Sequence, residues 1–263
     1  MGTSNWQNIP YTIEALMKAE PRRVLDVGVG YGRWGMVIRE FCELWFNRVH
    51  RSTWNIWVEG VEAYEPNVDD YHKYFYNKIH LGDFSQIYRT LDGNWDVIIF
   101  GDVLEHFTKN DSYTLLDWSL DHASYVLINI PIGSEWPQDE MYENRFERHL
   151  SEWEPEDFES FGRIRYGLFN DFLGRPFGSF ILSRKDPKNM RSGLFSVETK
   201  AGKNSFGHAK ERTEQLEIEN RYLRDEIRRL RNPVLRSSRA LAMTRVGRKL
   251  LGTLSSVKKK LLG

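Results

Sequence analysis

The chain of 263 residues contains one cysteine, Cys42, which excludes a disulfide framework and a thiolate metal cluster. Cys42 falls inside a helical stretch, and nothing around it supports nucleophilic thiol chemistry. No segment approaches the roughly 18 consecutive apolar residues that span a bilayer. The N-terminus lacks a basic stretch followed by an apolar run, so no secretory leader is expected and the expected location is cytoplasmic. Acidic residues are missing from one end. From Ile227 onward there is no Asp or Glu, but eleven Lys and Arg. The whole chain holds 37 residues of each sign, so the first 226 residues carry 26 basic against 37 acidic side chains. The zero net charge therefore conceals a body near −11 and a tail near +11. Such a split directs the tail toward an anionic partner, either a membrane surface or nucleic acid.

With 40% hydrophobic and 14% aromatic residues, the chain can enclose a sizeable core. Short apolar runs alternate with amphipathic stretches as far as Lys185. Strands are expected at 22–29, 56–63, 78–82, 95–103, 125–131, 164–170 and 178–184, and helices at 34–48, 112–122 and 155–161. Strand and helix in alternation predict an α/β fold, a doubly wound and mostly parallel seven-stranded sheet. The connection from Asp171 to Pro176 is too short for a crossover helix, so the sheet ends in an antiparallel hairpin.

Residues 1–186 form the expected catalytic domain, 187–209 a polar linker, 210–232 a coiled-coil helix and 233–263 a basic amphipathic tail. In the coiled coil, Leu216, Leu223, Ile227, Leu230 and Val234 fall on heptad positions, with Asn220 as the polar core residue that fixes register. Self-association into a homo-oligomer follows, with a single helix packed on the body as the alternative. Beyond Pro233, Leu241, Val246, Leu250, Leu254, Val257 and Leu261 recur at helical spacing among Arg and Lys. That pattern suits peripheral attachment to the inner face of an anionic membrane. A solvated tail is the alternative.

The densest local signal is VLDVGVGYG, Val24–Gly32. An apolar strand carrying Asp26 runs into Gly28, Gly30 and Gly32, where the backbone can bend tightly and approach a ligand. The spacing differs from the dinucleotide fingerprint, whose third glycine comes one position later. The segment resembles the first motif of class I S-adenosylmethionine-dependent methyltransferases, and further matches follow in order. Glu62 in GVEAYEP resembles the acid that holds the ribose hydroxyls. Asp83 and Phe84 in HLGDF resemble the pair that receives adenine. Asp102, in WDVIIFGDVLEHF, lies where that family lines the methyl-donor pocket. The resemblance implies a Rossmann-like fold and S-adenosyl-L-methionine as cofactor. Glu62 follows Gly32 later than the usual distance, which points to an insertion at 46–55 and leaves Glu59 and Glu65 as alternatives. Other readings stand beside these: Asp26 bonding the glycine turn, Asp83 as a helix cap, and Phe84 as core.

For the acceptor side, His149 is the preferred general base, with Glu147 or Glu152 orienting it; the alternative is a histidine that only ties down a lid. His106 is the second candidate, read equally as a residue that orients Glu105 or caps a helix. The long segment 131–158 is expected to form the lid, with Trp136, Tyr142, Phe146 and Trp153 as stacking surfaces. Asp102, Glu105, Asp139 and Glu140 have the chemistry of metal ligands, but carboxylates are too common to predict a metal from them, and none is expected. The domain arrangement resembles bacterial enzymes that modify surface polysaccharides at the cytoplasmic membrane, which implies a saccharide or lipid-linked glycan acceptor. A small-molecule or RNA methyltransferase and a non-catalytic scaffold are the alternatives. RNA is the lesser one, because the body is acidic and lacks a recognisable RNA-binding module.

The charge asymmetry makes a first prediction. Anionic vesicles should retain the full chain and lose it when residues 233–263 are removed, while a short oligonucleotide binds neither form tightly. Retention by the oligonucleotide alone would reverse the assignment of the tail.

Overall fold

Alternate residues of the central strands face different helices, and that period of two builds the molecule. In β1 (Arg23–Val27), Val24 packs into one buried cluster, whereas Leu25 and Val27 pack into another. In β4 (Trp95–Gly101), Val97 and Ile99 join Val24, while Ile98 and Phe100 join Leu25. Strands buried on both faces belong in the middle of a parallel sheet. The structure, a computed structural model, describes residues 5–171 and 173–184. The expected linker, coiled coil and basic tail lie outside the described residues.

The remaining strands are β2 (Trp57–Glu62), β3 (Lys78–Leu81), β5 (Ala123–Pro131), β6 (Arg163–Asn170) and β7 (Pro176–Leu182). They form one seven-stranded sheet in the order β3-β2-β1-β4-β5-β7-β6. The first five strands pair in parallel, and β7 runs antiparallel to both β5 and β6. The expected mixed sheet with its terminal hairpin is therefore observed, with the last strand inserted between β5 and β6. The order reverses beside β1, and the resulting crevice at the carboxyl ends of β1 and β4 is where such sheets bind ligands.

Helices α1 (Ile9–Ala19) and α2 (Arg33–Cys42) cover one face of the sheet. Two short helices, α3 (His72–Phe75) and α4 (Phe84–Ile87), flank β3. Helix α5 (Lys109–His122) covers the opposite face with Leu115, Leu116 and Leu120. Its start is set by Thr108, whose side chain accepts the Asp111 N–H.

The helix expected to reach residue 48 stops at Cys42. The carboxylate of Glu43, fully buried, turns inward and accepts the N–H groups of Asn55 and Ile56, each at 2.7 Å, and Arg48 closes on the same carboxylate. Residues 43–55 thus form an anchored loop with two 3-10 turns. Cys42 is buried beside it, and burial pushes its thiol up to about 12, which keeps it an inert apolar side chain. Among the described residues, no helix is long and apolar enough to cross a membrane.

Where β4 meets α2, a Cβ on Gly101 would collide with the indole nitrogen of the buried Trp34. Gly101→Ala should cost about 1–3 kcal/mol through overpacking, read as a lower urea midpoint. Combining it with Trp34→Phe should restore part of that loss. An unchanged midpoint in the single variant would contradict the close approach.

Candidate functional site

The carboxyl ends of β1, β2 and β4 open into a cavity of about 740 Å³. Its floor is the glycine bend after β1. The N–H groups of Gly28 and Val29 both donate to the Val61 carbonyl, at 2.9 and 3.1 Å, so the bend hangs from β2. Gly28 has φ +78°, and a Cβ there would strike Val103. Gly30 has φ +49°, yet a Cβ there would meet nothing within 4 Å. The missing side chain at Gly30 leaves open space at the cavity wall. Gly32 turns the chain into α2 as its left-handed N-cap.

Three acids surround this bend, each in a different state. Glu62, at the end of β2, accepts the Gly30 N–H through Oε2 at 2.8 Å and the Tyr64 N–H through Oε1 at 2.9 Å. Asn67 also donates to Oε1, at 3.3 Å. The carboxylate lines the cavity and retains lone pairs for a ligand. Asp83 caps α4 by accepting the N–H and hydroxyl of Ser85 through Oδ1, at 2.9 and 2.7 Å, and also lines the cavity. The cap and ligand-facing readings of Asp83 coincide in space.

Asp26 is placed differently from its neighbours. It is fully enclosed beneath the bend, is not among the cavity-lining residues, and accepts the Tyr76 hydroxyl at 2.5 Å. Tyr76 in turn accepts the N–H of Gly35 at 3.1 Å. Oδ1 of Asp26 has no hydrogen-bond partner among the described residues. Burial pushes the Asp26 carboxyl up to about 7, with the Tyr76 hydrogen bond opposing and the charge of Glu62 adding to the rise. Of the two readings of Asp26, the structure places the side chain beneath the bend, where it does not line the cavity.

The cavity continues toward β4 and β5. Asp102 lines it with φ +56°, a left-handed conformation that Asp tolerates better than most residues, and its N–H donates to the Asn129 carbonyl at 2.9 Å. Beyond it, segment 131–158 forms the far wall, with Trp136, Phe146 and His149 among the lining residues. His106 and His149 lie with ring centroids 5.0 Å apart. Nδ1 of His106 lies 3.1 Å from the Arg148 carbonyl, and Nδ1 of His149 lies 2.6 Å from the Trp136 carbonyl. A carbonyl only accepts, so the neutral ring of His149 carries its hydrogen on Nδ1 and its lone pair on Nε2, while His106 also bonds the backbone of Asp102. Backbone carbonyls thus orient both rings, and neither Glu147 nor Glu152 makes the expected contact with His149. Burial holds His106 down at about 4 and also lowers His149.

Glu105 lies beside the pair, 2% exposed, and neither carboxylate oxygen has a hydrogen-bond partner from another described residue. Burial and the nearby charges of Asp102 and Glu147 hold its carboxyl well above the usual range. A second cavity of about 520 Å³ shares Glu105, Trp136 and His149 with the first.

Several expected residues fall elsewhere. Trp153 is buried and stacked on Phe158, and Tyr142 is exposed outside the cavity, so neither offers a stacking surface there. Glu59 is bonded to Arg23 and His80, and Glu65 does not reach the cavity, which leaves Glu62 as the acid at the bend. Phe84 touches the cavity wall while its ring packs on Phe100 and Trp118. The sequence reading missed His72, whose Nδ1 accepts the Asp69 N–H at 3.0 Å and whose Nε2 donates to the Gly30 carbonyl at 3.0 Å. It also missed Tyr76 and Arg33, the latter a lining residue near Asp102. His72 and Tyr76, four apart just before β3, are the only trace such a paired support leaves in the sequence.

No protein-family model matches the chain, and a search of curated proteins finds no significant match. Among solved structures, it is similar to the N-terminal domain of EvdMO1 in the presence of SAH and D-fucose. That match has 14% identity, covers 70% of this chain and 85% of the other, and has a TM-score of 0.48. It is also similar to the 1,6-didemethyltoxoflavin-N1-methyltransferase of Burkholderia thailandensis, at 17% identity over 68% of this chain and 79% of that one, with a TM-score of 0.48. A SAM-dependent methyltransferase from Archaeoglobus fulgidus matches at 16% identity, covering 67% and 94%, with a TM-score of 0.44.

The enclosed Asp26 gives this site a pH dependence. A carboxyl whose pKa rises on folding favours the fold while it is protonated, so its contribution is complete below the unfolded value near 4. That contribution is lost as pH climbs through the folded value of about 7. Asp26→Asn cannot ionise, so its melting temperature should gain on that of the native chain between about pH 5 and pH 8. Two parallel curves over that range would show that Asp26 does not titrate as argued.

Proposed function

We propose that the chain is a class I S-adenosylmethionine-dependent methyltransferase that O-methylates a saccharide or lipid-linked glycan. The observation that carries this reading is the convergence of an open Gly30, Glu62 and Asp83 on one cavity at the switch point of the sheet. Glu62 has the lone pairs to accept a ribose diol, and Asp83 sits one strand further along, where a base would lie. Eight carboxylates and four arginines line the cavity, a balance that favours a cationic sulfonium over an anionic cofactor.

Transfer is an in-line displacement. The acceptor oxygen forms a bond to the methyl carbon as the carbon–sulfur bond breaks, and the electron pair stays on sulfur to give a neutral thioether. The hydroxyl proton must leave. The acceptor for it is Nε2 of His149, which lines the cavity with its lone pair set by the Trp136 carbonyl. His106 is the poorer base, since burial holds it at about 4. Trp136 and Phe146 in the wall support a ring-shaped acceptor, and the basic tail expected from the sequence supports one held at a membrane.

Calorimetry with S-adenosylhomocysteine tests the cofactor assignment. The native chain should bind, and Glu62→Ala should weaken binding by about thirtyfold, the equivalent of about 2 kcal/mol for hydrogen bonds to a charged group. A native chain that binds neither this product nor the donor would overturn the reading in favour of a scaffold. Labelled donor incubated with fractionated cell envelope should mark the glycan fraction; label confined to RNA or to small molecules would replace the acceptor class. His149→Ala should slow transfer by about a hundredfold or more.

A further inference from the structure

We propose that Glu105, His106 and His149 bind a divalent transition-metal ion of the zinc, cobalt or manganese class, at the junction of the two cavities. One ligand atom from each residue lies within 4.8 Å of the others. Each histidine has its Nδ1 tied to a backbone carbonyl, Arg148 for one and Trp136 for the other. That outer contact fixes the ring and presents Nε2, which is how proteins orient metal-binding imidazoles. The third member is 2% exposed, and no other described residue offers its two oxygens a hydrogen bond. A bare carboxylate in such a place is unfavourable unless it takes a proton or a cation. The seven other carboxylates around the main cavity, against four arginines, add to the attraction for a cation.

The donor set selects the metal. Two imidazoles disfavour magnesium and calcium, which prefer all-oxygen shells, and suit first-row transition ions. Two histidines and one glutamate also form a catalytic type of zinc site, with a fourth position open. Ligand atoms about 2.1 Å from a tetrahedral ion lie about 3.4 Å apart, so the three side chains close by at most about 1.4 Å from their separations of up to 4.8 Å. The open position takes an oxygen.

Combined with the methyltransferase reading, on which this step rests, that oxygen is the acceptor hydroxyl. The ion polarises it and its proton passes to water. The resulting alkoxide then attacks the methyl carbon, and the carbon–sulfur pair departs on sulfur. His149 is then a ligand, and the ion replaces it as the activator of the hydroxyl.

Cobalt(II) is the probe. Full-length protein without a histidine tag, stripped with a chelator, should take up one cobalt ion per chain and develop visible d–d absorption that zinc removes by competition. Glu105→Gln and His149→Ala should each weaken cobalt binding more than tenfold, while S-adenosylhomocysteine affinity, measured on the same samples, stays within about twofold as evidence of an intact fold. A chain that binds S-adenosylhomocysteine but gives no cobalt band overturns the site. Equal cobalt affinity in the native chain and both variants also overturns it. A chain that binds cobalt at this triad but not S-adenosylhomocysteine keeps the metal site and removes the methyltransferase reading.

Discussion

The carboxylate of Glu62 is the contact on which the cavity depends. It closes a loop of chemistry between two strands: β2 delivers the acid, and the bend after β1 delivers the Gly30 N–H to it at 2.8 Å. The register of the sheet puts them there, because Val27 pairs with Val61 and Glu62 with Leu81. A slip of one residue would exchange the acid for a valine and turn the carboxylate to the other face. Since Gly28 and Val29 also bond to β2, the shape of the bend follows from one strand's register more than from the glycines themselves. The glycines permit that shape; Glu62 selects it.

A buried layer holds the bend from beneath. Tyr76 donates to Asp26 and accepts from Gly35, which links β1 to the first turn of α2, and His72 takes the Gly30 carbonyl. Both side chains come from the short stretch around α3. The loop therefore has its N–H held by β2 and its carbonyl held by the approach to β3. A backbone gripped at both polar groups is preorganised, so a ligand need not pay for its ordering. The enclosed Asp26 is the price of this arrangement in stability at neutral pH.

The fold was legible because strands covered on both faces must be largely apolar, and WDVIIFG is nearly so, while RVLDV and WVEGVE keep valine or leucine between their charged residues. The bend was legible because its positive φ angles demand glycine. The late arrival of Glu62 was readable as an insertion, although its cause was not: Glu43 is an ordinary acid in sequence and a buried anchor in space. Residues whose roles depend on distant partners stayed hidden. Tyr76 meets a strand fifty residues away, and nothing in the pattern around Trp153 tells whether its ring faces a cavity or Phe158. Asp26 was read both as a ligand contact and as a support of the turn, because the sequence shows an acid beside glycines but not which side of the bend it occupies.

The end of the cavity beyond Asp102 is built by contact between two segments that the sequence holds far apart. The Glu105 carbonyl accepts the N–H groups of Leu150 and Ser151, at 2.7 and 3.1 Å, and His106 bonds to the Arg148 carbonyl. Segment 131–158 is thus fastened to the turn after β4 at the residues that carry the polar chemistry. The histidine pair exists only while that fastening holds, because His106 belongs to the turn and His149 to the segment. Lifting the segment would separate the two rings and uncover Glu105. With the segment fastened, the two rings stand 5.0 Å apart beside Glu105, so one backbone contact assembles the polar groups at this end of the cavity.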